Sequence, residues 1–224
     1  MSPRLLFPDA PSAADALTFA QRAVRLGDGA VRLRAAAGTL ALTSAPLAPE
    51  SLLDATPTVL GMRHVRVDPE VECDLVVDAA SLTADPADAL AIVLPDTAVT
   101  APWAGVSPPR AGWAPAEGIA AATLAARAQW GIAAVAEAVP AAAGEEVVRA
   151  VRADIWGRAD DELGGLPLGV AFAAFALGFI GGEEVAAVRR LGPWTRLSLA
   201  RGHVLTRGTV RSGLTGVRPT GPAA

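Results

Sequence analysis

The sequence predicts an α+β fold, with an antiparallel sheet built from N- and C-terminal hairpins and covered by a helical layer over about residues 117–191. Three observations predict it. Strand-like alternation, punctuated by turn residues, occurs toward both ends of the chain. Helical spacing dominates between them. The most apolar stretch, Leu163 to Gly182 (LGGLPLGVAFAAFALGFIGG), lies inside that helical section with acids on both flanks, so the core should pack on it. On this reading residues 1–224 form a single α+β domain with a helical subdomain at about 117–191, and residues 219–224 fray.

The elements follow in order. Ser12, with Asp15 three residues on, resembles a capping box and opens a first helix. Leu17, Ala20 and Val24 give its apolar face, and Gly27 ends it. Val31 to Arg34 and Thr39 to Thr43 alternate on either side of Gly38, which predicts a hairpin with its arginines toward solvent. A second hairpin is expected, with Met62–Val67 turning at Asp68-Pro69-Glu70 and returning as Cys73–Val77. Arg66 would then face Asp74 as a cross-strand ion pair. The loop length decides whether His64 and Cys73 share a face.

Leu90 to Leu94 reads as a buried strand ended by Pro95. Pro102 to Pro115 has no period and reads as an ordered connection pinned by Trp103 and Trp113, or else as a polyproline ligand at Pro108-Pro109-Arg110. Leu124, Ala128, Ile132, Val135 and Val139 then share a helical face until Pro140. Gly144 starts another helix, with Glu145 and Glu146 where the dipole favours acids and Val148, Val151 and Ile155 on the apolar side. The central apolar helix follows, and Glu183 to Arg190 reads as one more short helix. A last hairpin joins Trp194–Leu199 to His203–Arg207 through Ala200-Arg201-Gly202, which sets Leu197 opposite Leu205 and Leu199 opposite His203. Thr209 to Gly216 is expected to add a strand.

The central run has the length of a membrane span but not its composition. Between Pro167 and Gly181-Gly182 about 14 residues remain, roughly 21 Å of helix against a hydrocarbon core of about 30 Å. Only nine of the twenty residues are Leu, Ile, Val or Phe. It reads instead as a buried helix, with Leu168, Phe172, Phe175 and Phe179 as a bulky stripe and Gly169, Ala173 and Ala176 as a small face.

Composition sets the outer limits. Hydrophobic residues make up 52% of the chain and charged ones 19%, enough to build a core and too apolar for disorder. All 19 basic residues are Arg, and Lys, Asn and Tyr are absent, a usage that fits a GC-rich bacterial genome. One cysteine excludes an intrachain disulfide, and the N-terminus lacks the apolar stretch of a secretory signal, so a cytoplasmic location is expected. The net charge of −4 is uneven: seven Arg and no acid follow Glu184, while all 23 acids precede that point or include it. Such a split points to an anionic partner or to a basic end packed beside an acidic body.

Without lysine there is no Walker A loop and no Schiff base, and G-x-S-x-G, H-E-x-x-H and G-x-G-x-x-G are missing. Cys73 sits between Glu72 and Asp74, neighbours that disfavour a thiolate, so it reads as a packed core thiol. Asp160-Asp161-Glu162 reads as a solvated helix start. No catalytic residue, metal site or cofactor is expected. The candidate ligand or anion-binding residues are Arg196, Arg201, His203 and Arg207, and Trp194 with Arg196 resembles a base-stacking surface in residue type. The expected function is a cytosolic, non-catalytic binding or assembly protein that self-associates. Two alternatives stand beside it: a small-ligand-binding protein or enzyme with an Arg/carboxylate pocket between sheet and helices, and an anion or nucleic-acid binder using the basic C-terminal hairpin. The expected partners are a second copy of the chain and an unknown protein or small anionic ligand. The acidic total argues against nucleic acid, and no membrane is expected.

Overall fold

The structure, a computed structural model, describes residues 3–51 and 53–208. The strand expected at Thr209–Gly216 and the fraying expected at 219–224 lie outside the described residues. The N-terminal half runs β1 (Arg4–Leu6), α1 (Ala10–Ala23), β2 (Ala30–Ala36), β3 (Thr39–Leu47), β4 (Thr58–Arg66), β5 (Cys73–Asp78), β6 (Thr83–Asp85) and β7 (Asp88–Val93). The C-terminal half runs β8 (Ala114–Ala120), α2 (Ala121–Ala138), α3 (Glu145–Gly157), β9 (Ala159–Asp160), β10 (Leu166–Pro167), α4 (Gly169–Ala176), β11 (Val185–Leu191), β12 (Trp194–Leu199) and β13 (Gly202–Arg207).

The class is α+β, as expected. Eight antiparallel strands from both halves form one sheet in the order β5-β2-β3-β4-β13-β12-β11-β8, beside a small β1-β7-β6 sheet and a two-stranded β9-β10 ladder. Both halves share a plan of strand, helix and three-stranded meander. The meanders β2-β3-β4 and β11-β12-β13 join last strand to last strand, β4 against β13.

Local chemistry explains the first elements. Asp9, not Ser12, caps α1: its backbone is extended and its carboxylate accepts the Ser12 amide at 2.7 Å. Ala37 and Gly38 both have positive φ (48° and 74°), the backbone a two-residue hairpin loop needs, and they set Ala36 opposite Thr39.

Three expectations about the strands fail. First, β4 and β5 are not a hairpin. The edges of β4 are taken by β3 and β13, so β5 docks on the open edge of β2. Arg66 consequently reaches Asp9 at 3.0 Å, and Asp74 accepts a two-pronged bond from Arg32 at 2.7 and 2.8 Å. Second, Val185–Leu191 is a strand. Ala186 and Val188 are buried at a period of two, and ladders on both sides hold a segment too short to be a stable helix alone. The helical layer therefore starts later and ends earlier than expected, because Ala114–Ala120 is also a strand. Third, the β12–β13 loop has two residues rather than three, so Leu197 faces Val204 and Ser198 faces His203. A slip of one residue exchanges the two faces of a strand.

Helices α1 and α4 pack on one face of the sheet, with α2 and α3 packed against α4. Leu33, Leu40, Leu42, Val59, Leu197 and Val204 point into that core and are almost fully enclosed. Helix α4 lies near the β4–β13 seam, where Gly61 and Gly202 leave flat spots. A Cβ at Gly61 would overlap Leu177, and one at Gly202 would overlap the ring of Phe179. The central run is thus core: Leu168 and Phe179 of the bulky stripe are almost fully buried, and the small face is where neighbouring elements approach, as expected. Gly169, Val170, Ala171, Ala173 and Ala174 are buried, while Phe175 is 39% exposed and Phe172 is stacked on Trp156 with centroids 4.3 Å apart. Small residues go inward because neighbouring elements approach closely, as they do at Gly131 of α2, where Trp156 and Leu168 fill the place of a side chain. Among the described residues no helix is long and apolar enough to cross a membrane.

Candidate functional site

Strand alternation places a second set of side chains on the sheet face away from the helices. The ladder registers line up Arg32, Thr43, Met62, His203 and Ser198 across five strands. They likewise align Arg34 with Ala41 and His64, and Leu60 with Leu205 and Arg196. Basic and imidazole groups from both halves therefore meet over the β4–β13 seam, on an apolar floor of Leu60, Met62 and Leu205.

The connection between β7 and β8 crosses this face as a strap. Trp103 is buried and donates its Nε1–H to Asp28 at 2.8 Å. Arg32 donates Nη1–H to the carbonyl of Ala104 at 2.7 Å. Trp113 donates to the carbonyl of Pro109 at 3.1 Å, and the guanidinium of Arg196 lies 5.0 Å from its ring centroid. The two tryptophans pin the segment as expected. Sheet and strap enclose a cleft of about 610 Å³, a size typical of small-molecule sites.

The cleft is electropositive. Arg32, Arg34, Arg110, Arg196, His64 and His203 line it with a single carboxylate, Asp74, which Arg32 already engages. The rings of His64 and His203 meet edge-on at 5.5 Å. Burial, followed by the charges of His64, Arg196 and Arg63, pushes the pKa of His203 down to about 4. His64 is also lowered, by burial and then by Arg196 and Arg63. Nδ1 of His203 lies 3.0 Å from the Ser198 hydroxyl. Nε of Arg196 is buried and has no hydrogen-bond partner among the described residues. A buried cationic donor without an acceptor is costly, and its cost is relieved by an anion within reach.

Of the residues named from sequence, Arg196 and His203 come together in this cleft. Arg201 does not join them. It sits exposed at the β12–β13 loop and lines a separate cleft of about 220 Å³ on the helix side. Arg207 is half-buried opposite Thr58 and Trp194 and lines neither cleft. Trp194 is buried beneath the strap, so Trp113 supplies the aromatic face beside Arg196. Sequence reading missed Arg32, Arg34, His64 and Arg110. The alternation of Arg32 and Arg34 with buried Val31, Leu33 and Ala35 was visible, but the strand order that brings them to His64 was not.

The Cys73 thiol is half-buried, its pKa raised first by burial and also by Asp74, while a backbone hydrogen bond from Ala35 opposes the shift. Asp160, expected to be solvated, is buried and accepts Nε and Nη2 of Arg127 at 2.8 and 2.5 Å. Among the described residues no three His, Cys, Asp or Glu side chains are grouped so as to hold a metal ion.

Comparison with known proteins gives family models without assigned function. Residues 1–105 match the family described as Domain of unknown function (DUF8010), and residues 108–211 match Domain of unknown function (DUF8185). The two matches meet within the strap. No curated protein sequence matches the chain. Among solved structures, the DNA polymerase sliding clamp from Caulobacter crescentus is 13% identical with a TM-score of 0.47, over 99% of this chain and 69% of that one. A putative DNA polymerase III beta subunit from Eubacterium rectale is 8% identical with a TM-score of 0.47, over 91% of this chain and 64% of that one. Both are distant likenesses of overall shape and assign no function.

Proposed function

We propose that the protein is a non-catalytic binding protein that holds a small anionic ligand in the cleft under the strap. The observation that carries this reading is Arg196, whose buried Nε points at no acceptor while its guanidinium stacks on Trp113. Arg32, Arg34 and Arg110 add charge around it, and Leu60, Met62 and Leu205 add an apolar floor. Two neutral imidazoles complete the lining and can each donate one hydrogen bond. The test is a titration with citrate, pyrophosphate and AMP, followed by calorimetry and tryptophan fluorescence. At least one should bind saturably, and Arg196→Ala should weaken it about tenfold or more, as loss of a charge-assisted hydrogen bond does. Saturable binding that Arg196→Ala leaves unchanged, or no binding by any of the three, overturns the reading.

A second reading rests on the sheet edge. β8 is the terminal strand, pairs only with β11 among the described residues, and is exposed along almost its whole length. An open, exposed edge is a template for another strand. We read it as the place where the chain self-associates, with a second copy adding its own edge. Light scattering during size-exclusion chromatography tests this, and a strict monomer at micromolar concentration removes it.

A further inference from the structure

The helix-side cleft is the strongest unassigned feature. It lies between α1, the turn after α4 and the β12–β13 loop, and has a volume of about 220 Å³. Arg22, Arg63 and Arg201 line it with one carboxylate, Asp15. Arg63 consumes that carboxylate, donating Nε–H to it at 2.8 Å, and also bonds the carbonyl of Arg201. Arg22 and Arg201 make no ion pair among the described residues.

Their guanidinium groups are nevertheless positioned. Arg22 donates Nη1–H to the carbonyl of Leu177 at 2.7 Å and lies on the backbone of Gly178, whose φ is 70°. A Cβ at Gly178 would overlap the guanidinium itself. Arg201 lies on Gly181, where a Cβ would come within 3.1 Å of its Nε. A carbonyl holds the Arg22 fork and bare glycine backbone lies against the Arg201 fork, so neither is neutralised beside the cleft. Guanidinium forks match tetrahedral oxyanions two bonds at a time. The cleft is below the usual range for drug-sized or nucleotide ligands, so the anion it fits is small.

We infer that this cleft binds a phosphate-sized oxyanion, free or at the end of a small phosphomonoester, between Arg22 and Arg201. The site is distinct from the cleft under the strap and does not depend on it.

The experiment is calorimetry of the full chain with inorganic phosphate and, separately, with glycerol 3-phosphate, against sodium chloride at equal ionic strength. The variants are Arg201→Ala, Arg22→Gln and Arg196→Ala. Arg201 is exposed, so its truncation should leave the fold intact, and Gln at position 22 keeps a polar side chain while removing the charge. Phosphate should bind wild type and Arg196→Ala alike, and Arg201→Ala and Arg22→Gln should each weaken it about tenfold or more. Equal binding of glycerol 3-phosphate assigns the site to esterified phosphate as well, and its failure beside bound phosphate restricts the site to the free anion. The inference is overturned if phosphate gives no saturable heat, if chloride reproduces the effect, or if both arginine variants bind like wild type. Loss of phosphate binding in Arg196→Ala alone would move the anion to the other cleft and overturn it too.

Discussion

The two faces of the eight-stranded sheet are built from the same strands and end up opposite in character. The helix side is closed by shape. Leu177 and Phe179 rest on the flat spots of Gly61 and Gly202, and the surrounding Leu, Val and Ala side chains leave almost nothing to solvent. The strap side is closed by a single irregular segment held by two tryptophans and a few hydrogen bonds, and beneath it arginines and histidines remain only partly matched. A face packed with apolar side chains contributes stability. A face that keeps unmatched cations in reach of water sacrifices some of it, and functional sites are where such mismatches are retained. The contrast teaches that the dry core and the larger cleft lie on opposite sides of one sheet, so ligand binding under the strap should be removable without unfolding the helix side.

The largest effect should come from breaking the dry face. Leu177→Ala removes a side chain that is 1% exposed and leaves a cavity over the β4–β13 seam. A loss of about 2–5 kcal/mol is expected, read from urea unfolding. A change below about 1 kcal/mol would mean that the seam is not close-packed. A smaller effect should come from the strap. Trp103→Phe keeps the apolar bulk but loses the bond to Asp28, at about 1 kcal/mol. Trypsin should then cut faster at Arg110 than at other sites, and unchanged cleavage there would show that the strap is held by other contacts.

A pH dependence sharpens the comparison further. His203 has its pKa pushed down to about 4 in the folded chain, by burial and then by the charges of His64, Arg196 and Arg63, and its ring faces His64 and Ser198. Its ordinary value is about 6.5, so over the interval between the two the unfolded chain takes up a proton that the folded chain refuses. Stability is therefore fully present above that ordinary value and declines as pH falls toward about 4. His203→Gln should flatten this decline, measured as the shift in urea midpoint between about pH 7 and about pH 4.5. An anion in the cleft should raise the imidazole pKa and weaken the trend, so ligand binding should tighten on acidification. A pH profile identical in His203→Gln and wild type would mean that other groups carry the acid sensitivity.

The sequence by itself determined what local chemistry can determine. Alternation identified β2, β3, β12 and β13, helical spacing identified α1, α2 and α3, and the Pro and Gly boundaries marked the central apolar helix as too short to span a bilayer. It also singled out Arg196 and His203, because both stand in a basic hairpin. Only the tertiary structure decided which edges the strands meet. Nothing within β5 says that it pairs with β2 rather than with β4, and nothing within Val185–Leu191 reveals the two ladders that make it a strand. The register of one loop, two residues instead of three, moved His203 onto the face of Arg196 and left Arg201 at a different cleft. A strand's side-chain period fixes which of its residues share a face. Its partners, and hence its neighbours across the sheet, are set by long-range contacts that no short segment encodes.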